Sequence, residues 1–316
     1  MSSPDKIIIG TRGSDLAMWQ SRWIAGELVR LQPSLEIETV VIKTTGDKIL
    51  DAPLSKIGDK GLFTKEIEHA LLDKSIDLAV HSLKDVPTVL EAGLTIGAVT
   101  EREDVRDVFI SHPTKRYPSF GSVPQGGSIA TGSLRRKCQL LSHRPDLSII
   151  DIRGNLKTRR AKLEESAWDG MLLAKAGVAR LGWSDIISEV LSPSFILPAV
   201  GQGALAVEIR KDDARLASIV GKLNHPSTHQ ATDGERALLR FLEGGCQIPI
   251  GTYGRIESGQ FIMDAMVGSL DGKRTVRGSI RGAAADSEQL GTALARELLS
   301  KGADTILEEI RTSGGG

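Results

Sequence analysis

Hydrophobic positions along this chain fall into short runs separated by small polar loops, and the runs change period. KIIIG (6–10) is an apolar run of strand length. SDLAMWQSRWIAGELVRL (14–31) carries apolar residues at helical spacing, with Ser14 as its N-cap. The β-branched stretch LEIETVVIKT (35–44) predicts a strand, and LFTKEIEHALLDK (62–74) a second helix. IDLAVHS (76–82) and LTIGAVT (94–100) predict two more strands. The stretch 126–155 repeats the order of strand, small-residue loop, helix and strand, so two similarly built lobes are expected. GMLLAKAG (170–177) adds a strand and turn, and PAVGQGALAVEIRKDD (198–213) a strand that could cross back to the first lobe. The stretch 111–128 is rich in turn residues and is expected at the surface.

The texture changes near residue 224. ATDGERALLRFLEGG (231–245) predicts a helix, and three glycine-punctuated strands follow at 248–257, 259–270 and 274–282. A closing helix spans 287–311. This is a smaller α/β domain, and its glycine-rich tail is expected to fray.

At 316 residues the chain is long enough for two or three cores. Its 40 Lys and Arg balance its 40 Asp and Glu, so no global field draws it toward nucleic acid or membrane. Aromatics at 4% argue against base stacking. The first residues hold no apolar run of signal-peptide length, so a cytoplasmic setting is expected. Two cysteines make no disulfide framework. Cys138 lies in an amphipathic helical pattern, whereas Cys246 follows two glycines just past a helix.

Polar residues gather where strands end, the places at which open α/β folds bind ligands. Arg12 and Ser14 follow the first strand; His81, Ser82, Lys84 and Asp85 follow IDLAV. Thr131, Ser133, Arg135 and Arg136 follow SIA; Arg153 and Arg159 follow LSIIDI. A single helical arginine is most often a solvated charge. Repetition at successive strand ends favours a small polyanionic ligand, since a guanidinium fork suits carboxylate and phosphate alike. No phosphate-loop motif and no zinc spacing occurs, so no metal is expected. Asp85 fits either a turn closed by Pro87 or a proton-moving carboxylate. His81 could meet Cys246 only through a tertiary contact.

Six stretches together resemble the hydroxymethylbilane synthase (porphobilinogen deaminase) family: IGTRGSDLAMWQ, DKGLFTKEIEHALLDKSIDLAVHSLKDVP, TGSLRRKCQL, IRGNLKTRRAKL, AVGQGALAVE and GERALLRFLEGGCQIPIG. They occur in family order over most of the chain. The resemblance implies two lobes like type II periplasmic-binding-protein domains plus a smaller C-terminal α/β domain carrying the cofactor cysteine. The divisions are 1–103 with 204–221, 104–203, and 222–316. It implies a dipyrromethane cofactor joined as a thioether to Cys246, and a transferase that links four porphobilinogen molecules head to tail on that primer. Linear hydroxymethylbilane is then hydrolysed off, with ammonia released at each addition. Asp85 is the implied catalytic acid. Lys84, Arg135, Arg136, Thr131 and Ser133 are implied to hold the cofactor. Arg12, Ser14, Arg153, Arg159, Arg180 and Gln202 are implied to hold porphobilinogen and the growing oligopyrrole. Lys56 and Lys60 fall in the family's active-site loop. A monomer that binds neither nucleic acid nor membrane and hands its product to uroporphyrinogen-III synthase is expected.

Two positions depart from the family pattern: Gly132 replaces a serine, and Lys175 stands where small or apolar residues are usual. The rival class is a solute-binding module closing on an oligo-anion, but such a module has no use for the GGC stretch. A transcriptional regulator would need a helix-turn-helix ahead of the lobes, and none is read.

Overall fold

The computed structural model describes residues 5–48, 63–243 and 248–313. The first half of the chain forms β1 (Asp5–Thr11), α1 (Asp15–Leu31), β2 (Leu35–Val41), α2 (Thr45–Lys48), α3 (Lys65–Leu72), β3 (Leu78–Ser82), β4 (Leu94–Val99), β5 (Asp107–Ser111), β6 (Ser128–Ala130), α4 (Leu134–His143) and β7 (Ser148–Ile150). The second half forms α5 (Leu156–Glu164), β8 (Gly170–Ala174), α6 (Lys175–Arg180), β9 (Glu189–Val190), β10 (Leu205–Arg210), α7 (Ala214–Val220), α8 (Pro226–Phe241), β11 (Ile250–Glu257), β12 (Gln260–Gly268), β13 (Thr275–Ala283), α9 (Ser287–Leu298) and α10 (Asp304–Ser313). Two compact units result. One holds the described residues through Glu103 together with Gly203–His229; the other holds Asp104–Gln202 and the described residues from Gln230 onward.

In the first unit the strands run in the order β2-β1-β3-β10-β4. β1 pairs in parallel with β2 and β3, while β10 is antiparallel to both β3 and β4. The late strand expected to return to the first lobe is therefore β10. Ile7, Ile9, Leu78 and Val207 from this sheet pack with Ile24 and Leu28 of α1 in one core. Ser14 caps α1, accepting from the Ala17 N–H at 3.3 Å.

The second unit contains two sheets. One is ordered β7-β6-β8-β5-β9, with β6 parallel to β7 and β8, and β5 antiparallel to β8 and β9. This repeats the first lobe's plan, including one reversed strand in fourth place. The other sheet is the antiparallel β11-β12-β13. Its Phe261, Met263 and Ala265 pack with Leu238 of α8 and with Leu294 and Leu298 of α9. Buried Glu235 joins parts of this unit, accepting from the Gly201 N–H at 2.7 Å and the Gly254 N–H at 2.6 Å.

Several expectations need correction. The turn predicted after GMLLA is the short helix α6. The helix predicted to open at residue 231 begins at Pro226, a residue suited to a first helical turn because its missing N–H would have no partner there. The single closing helix is two, separated by an irregular stretch, Leu299–Ala303, in which Gly302 takes φ +101°. The segment 111–128 is not wholly superficial: Phe120 and Val123 are buried, and Phe120 meets Phe109 edge to face at 5.8 Å. β5 escaped the sequence reading because its buried first residue, Asp107, looks like the end of a charged run.

Candidate functional site

Polar residues collect in each unit where strands give way to turns. In the first unit β1 and β3 run in parallel, so their carboxyl ends open on one edge. Arg12 and Ser14 leave β1 there. Ser82 ends β3, and the chain turns through Leu83–Asp85, anchored by the buried Leu83 side chain. Arg12, Ser14, His81, Ser82 and Asp85 line one pocket. Lys84 and Asp85 are exposed.

Arg12 is held before any ligand arrives. Its Nε donates to Asp47 at 3.2 Å, its Nη2 bonds the same carboxylate, and its guanidinium lies 4.0 Å over the Phe63 ring. Burial alone would raise the Asp47 carboxyl, but bonds from Arg12 and from the Thr44 hydroxyl at 2.7 Å outweigh it, and the carboxyl titrates below its ordinary range. Deeper in the wall, His81 is 3.0 Å from Glu208, so its partner in the described structure is a carboxylate.

In the second unit four side chains converge at the start of β5. Asp107 accepts from Arg135 Nη1 at 2.8 Å, from Arg136 Nε at 3.1 Å and Nη2 at 2.8 Å, and from Gln202 Nε2 at 2.8 Å. Arg135 Nη1 also donates to the Leu197 carbonyl at 2.6 Å, and Arg136 Nη1 to the Leu172 carbonyl at 3.0 Å. Arg136 thus has all three nitrogens engaged with protein, which leaves one further N–H on each of its two Nη atoms for another acceptor. Arg135 retains a buried Nε with no hydrogen-bond partner. Two guanidiniums face one carboxylate here, which leaves excess positive charge. Burial works to raise the Asp107 carboxyl, and Arg135 and Arg136 overcome it, driving it far below the usual range.

The neighbouring hydroxyls serve the backbone. Thr131 accepts from the Ser133 N–H at 3.3 Å, and Ser133 caps α4 by accepting from the Arg136 N–H at 3.4 Å. Each hydroxyl proton remains able to donate. Beyond β7, Gly154 takes φ +114°, and Asn155 caps α5 through the Thr158 N–H at 2.9 Å. Arg159 Nε donates to the Gly154 carbonyl at 2.8 Å. Arg153 presents two buried nitrogens, Nη1 and Nη2, with no hydrogen-bond partner. A buried fork in this state suits a carboxylate ligand. Arg180 ends α6. Cys246, Lys56 and Lys60 lie outside the described residues.

The departures from the family pattern have local explanations. Lys175 pairs with Asp104 at 2.7 Å, beside Arg106 on the same carboxylate at 2.6 Å, so its charge is met within the protein. A Cβ on Gly132 would come within 2.5 Å of the Ile152 carbonyl, which makes this a close backbone approach. Cys138 is fully buried among Leu197, Met266 and Tyr253, and burial pushes its thiol up to about 12. Asp107, Asp47 and Glu208 were missed in the sequence because a lone acid in a charged run or within a strand carries no motif. Among the described residues, no group of three or more His, Cys, Asp or Glu could hold a metal ion, and no helix is long and apolar enough to cross a membrane.

Asp107→Asn is expected to destabilise the fold by about 3–5 kcal/mol, because two buried guanidiniums would lose their counter-charge. The depressed folded-state pKa means that the stabilisation from Asp107 is present above its unfolded value and is lost as pH falls below about 4. Denaturant melts at pH 7 and pH 3.5 check both points. The gap between wild type and variant should narrow at the lower pH; a pH-independent gap contradicts the charge argument.

Comparison with known proteins gives concordant matches. Residues 7–218 match the family model described as porphobilinogen deaminase, dipyromethane cofactor binding domain, and residues 230–300 match porphobilinogen deaminase, C-terminal domain. The chain is 52% identical over 306 residues to a porphobilinogen deaminase of Carboxydothermus hydrogenoformans, covering 97% of each chain. It is 54% identical over 310 residues to one from Chloroherpeton thalassium, covering 97% of this chain and 98% of the relative. For one from Geobacter sulfurreducens the identity is 48% over 306 residues, covering 97% and 95%. Among solved structures, an arginine-specific periplasmic binding protein of Salmonella typhimurium aligns with TM-score 0.40 at 12% identity, covering 72% of this chain and 93% of that one.

Proposed function

The chain belongs to the porphobilinogen deaminase family, and on that premise we propose how its residues divide the work of joining porphobilinogen units into hydroxymethylbilane. The observation that carries the reading is the pocket in the first unit, where Asp85 stands with Arg12 and Ser14 at the carboxyl ends of two parallel strands. Porphobilinogen bears two carboxylates and a leaving amine. Arg12, braced by Asp47, supplies a fixed cation for a carboxylate, and Asp85 supplies the group that exchanges a proton with the amine and offsets positive charge on the pyrrole nitrogen.

The residues also fit the family's dipyrromethane. The buried Nε of Arg135 and the excess positive charge around Asp107 suit a group rich in carboxylates. When bound, that group supplies the primer from which the product grows. Cys246 is its proposed thioether anchor. Arg135, with Arg136, Lys84, Thr131 and Ser133, is proposed to hold its carboxylates. Arg136 contributes through its position on Asp107 as well as its charge. Arg153, Arg159, Arg180, Gln202 and Ser14 complete the proposed substrate contacts, and Lys56 and Lys60 are proposed to belong to the family's active-site loop.

The three-domain division at 1–103 with 204–221, 104–203 and 222–316 belongs to the same proposal. So do a cytoplasmic monomer and transfer of the product to uroporphyrinogen-III synthase.

Arginine variants separate the stages. Arg135→Leu is expected to purify largely without cofactor, since a buried charge-assisted contact contributes several kcal/mol. Arg136→Leu should behave similarly. Arg12→Leu and Arg153→Leu should retain the cofactor and fail in porphobilinogen turnover. Intact masses and ammonia release, measured on variants shown to be folded, read the two stages. Normal cofactor and turnover in both Arg135→Leu and Arg136→Leu would refute the assignment. Cofactor loss in all four would refute the staging.

A further inference from the structure

His81 lines the same pocket as Asp85 and Arg12, and the roles assigned so far leave it unused. It is buried on β3, and its Nε2 lies 3.0 Å from Oε2 of Glu208, a fully buried carboxylate on β10. Strand pairing dictates the contact. Ala206 stands opposite His81, so Glu208, two residues along, projects from the same face of the sheet. An ionised carboxylate can only accept, so Nε2 keeps its proton in either charge state of the ring.

The surroundings are costly for a merely structural pair. Glu208 and the buried Glu68 of α3 each leave one buried oxygen with no hydrogen-bond partner. Burial pushes the Glu68 carboxyl up; the Thr64 hydroxyl opposes the rise most, the charges of Glu208 and Glu91 add to it, and His81 opposes it. The charged groups around the imidazole are therefore Glu208 from β10, Glu68 from α3 with Glu91 acting on it, and Arg12 and Asp85 in the pocket wall. Arg12 is already paired with Asp47. Apolar replacements for such groups are often neutral or stabilising, so packing gives little reason to retain them.

We propose that the His81–Glu208 pair is a positioning device for this pocket: Glu208 holds the imidazole in one orientation in the wall shared with Asp85, and the pair shapes the pH dependence of the proton exchange at Asp85. The reaction is taken from the family reading; the pair's geometry is independent of it.

The test is the pH profile of kcat for porphobilinogen consumption by cofactor-loaded wild type, Glu208→Gln and His81→Gln. Removing the Glu208 charge disfavours the imidazolium, so the limb due to the pair should move about one unit toward lower pH. Glutamine at 81 can still reach Glu208 with its amide nitrogen but cannot titrate. That limb should vanish and kcat fall about tenfold at neutral pH, with KM and cofactor mass little changed. Profiles of both folded variants that superimpose on wild type overturn the proposal. Should either variant fail to fold, ¹⁵N imidazole spectra of the wild type decide: Nε2–H is expected, and a neutral ring protonated on Nδ1 overturns it. A loaded wild type that consumes no porphobilinogen would count against the family activity instead, and the imidazole spectra would still judge His81.

Discussion

Cys246→Ser is expected to yield a folded chain that carries no covalent pyrrole and turns over no porphobilinogen. The chain has two cysteines. Cys138 is fully buried, and its thiol is pushed up to about 12. At neutral pH its thiolate fraction is about 10⁻⁵, and it has no route to a reagent in solution. Cys246, which follows Gly244 and Gly245 in the sequence, is then the thiol proposed to form the thioether, and a serine hydroxyl is a far weaker nucleophile than a thiolate. Turnover should fall by at least about 10³-fold, because the primer itself is missing. Intact mass and ammonia release measure both consequences. A modified, active Cys246→Ser protein would place the anchor elsewhere.

Asp85→Asn should lose turnover by about 10²-fold or more while keeping its fold and its cofactor. The side chain is exposed on a short turn whose anchor is the neighbouring Leu83, so the substitution disturbs no buried contact. An amide preserves the shape and removes both the exchangeable proton and the negative charge. Loaded protein compared at equal concentration gives the ratio. Activity within a few-fold of wild type ends the assignment of Asp85 as the acid.

Much of this architecture could be read from periodicity. The helical spacing of 14–31 and the apolar runs of β1, β3 and β10 each had one environment to satisfy, so local pattern and tertiary demand agreed. Ser14 as an N-cap was legible for the same reason. Asp107 was not, because a carboxylate at the head of a buried strand makes sense only beside Arg135 and Arg136, which arrive 28 and 29 residues later. Glu208 and His81 are separated by 127 residues, and only the reversed strand β10 brings them together. The arginine roles were half legible. Their placement after strands was visible, but the acids that already occupy Arg12 and Arg136 depend on tertiary pairing.

Whether this chain builds its product on a covalent pyrrole primer is decided by intact-mass spectrometry of the purified wild type before and after porphobilinogen is added. The starting mass should exceed that of the bare chain by a dipyrrole, located by peptide mapping on the peptide containing Cys246. A transient series of higher masses spaced by one pyrrole unit should follow mixing. A folded protein whose mass equals the bare chain and stays unchanged with porphobilinogen would contradict a covalent primer.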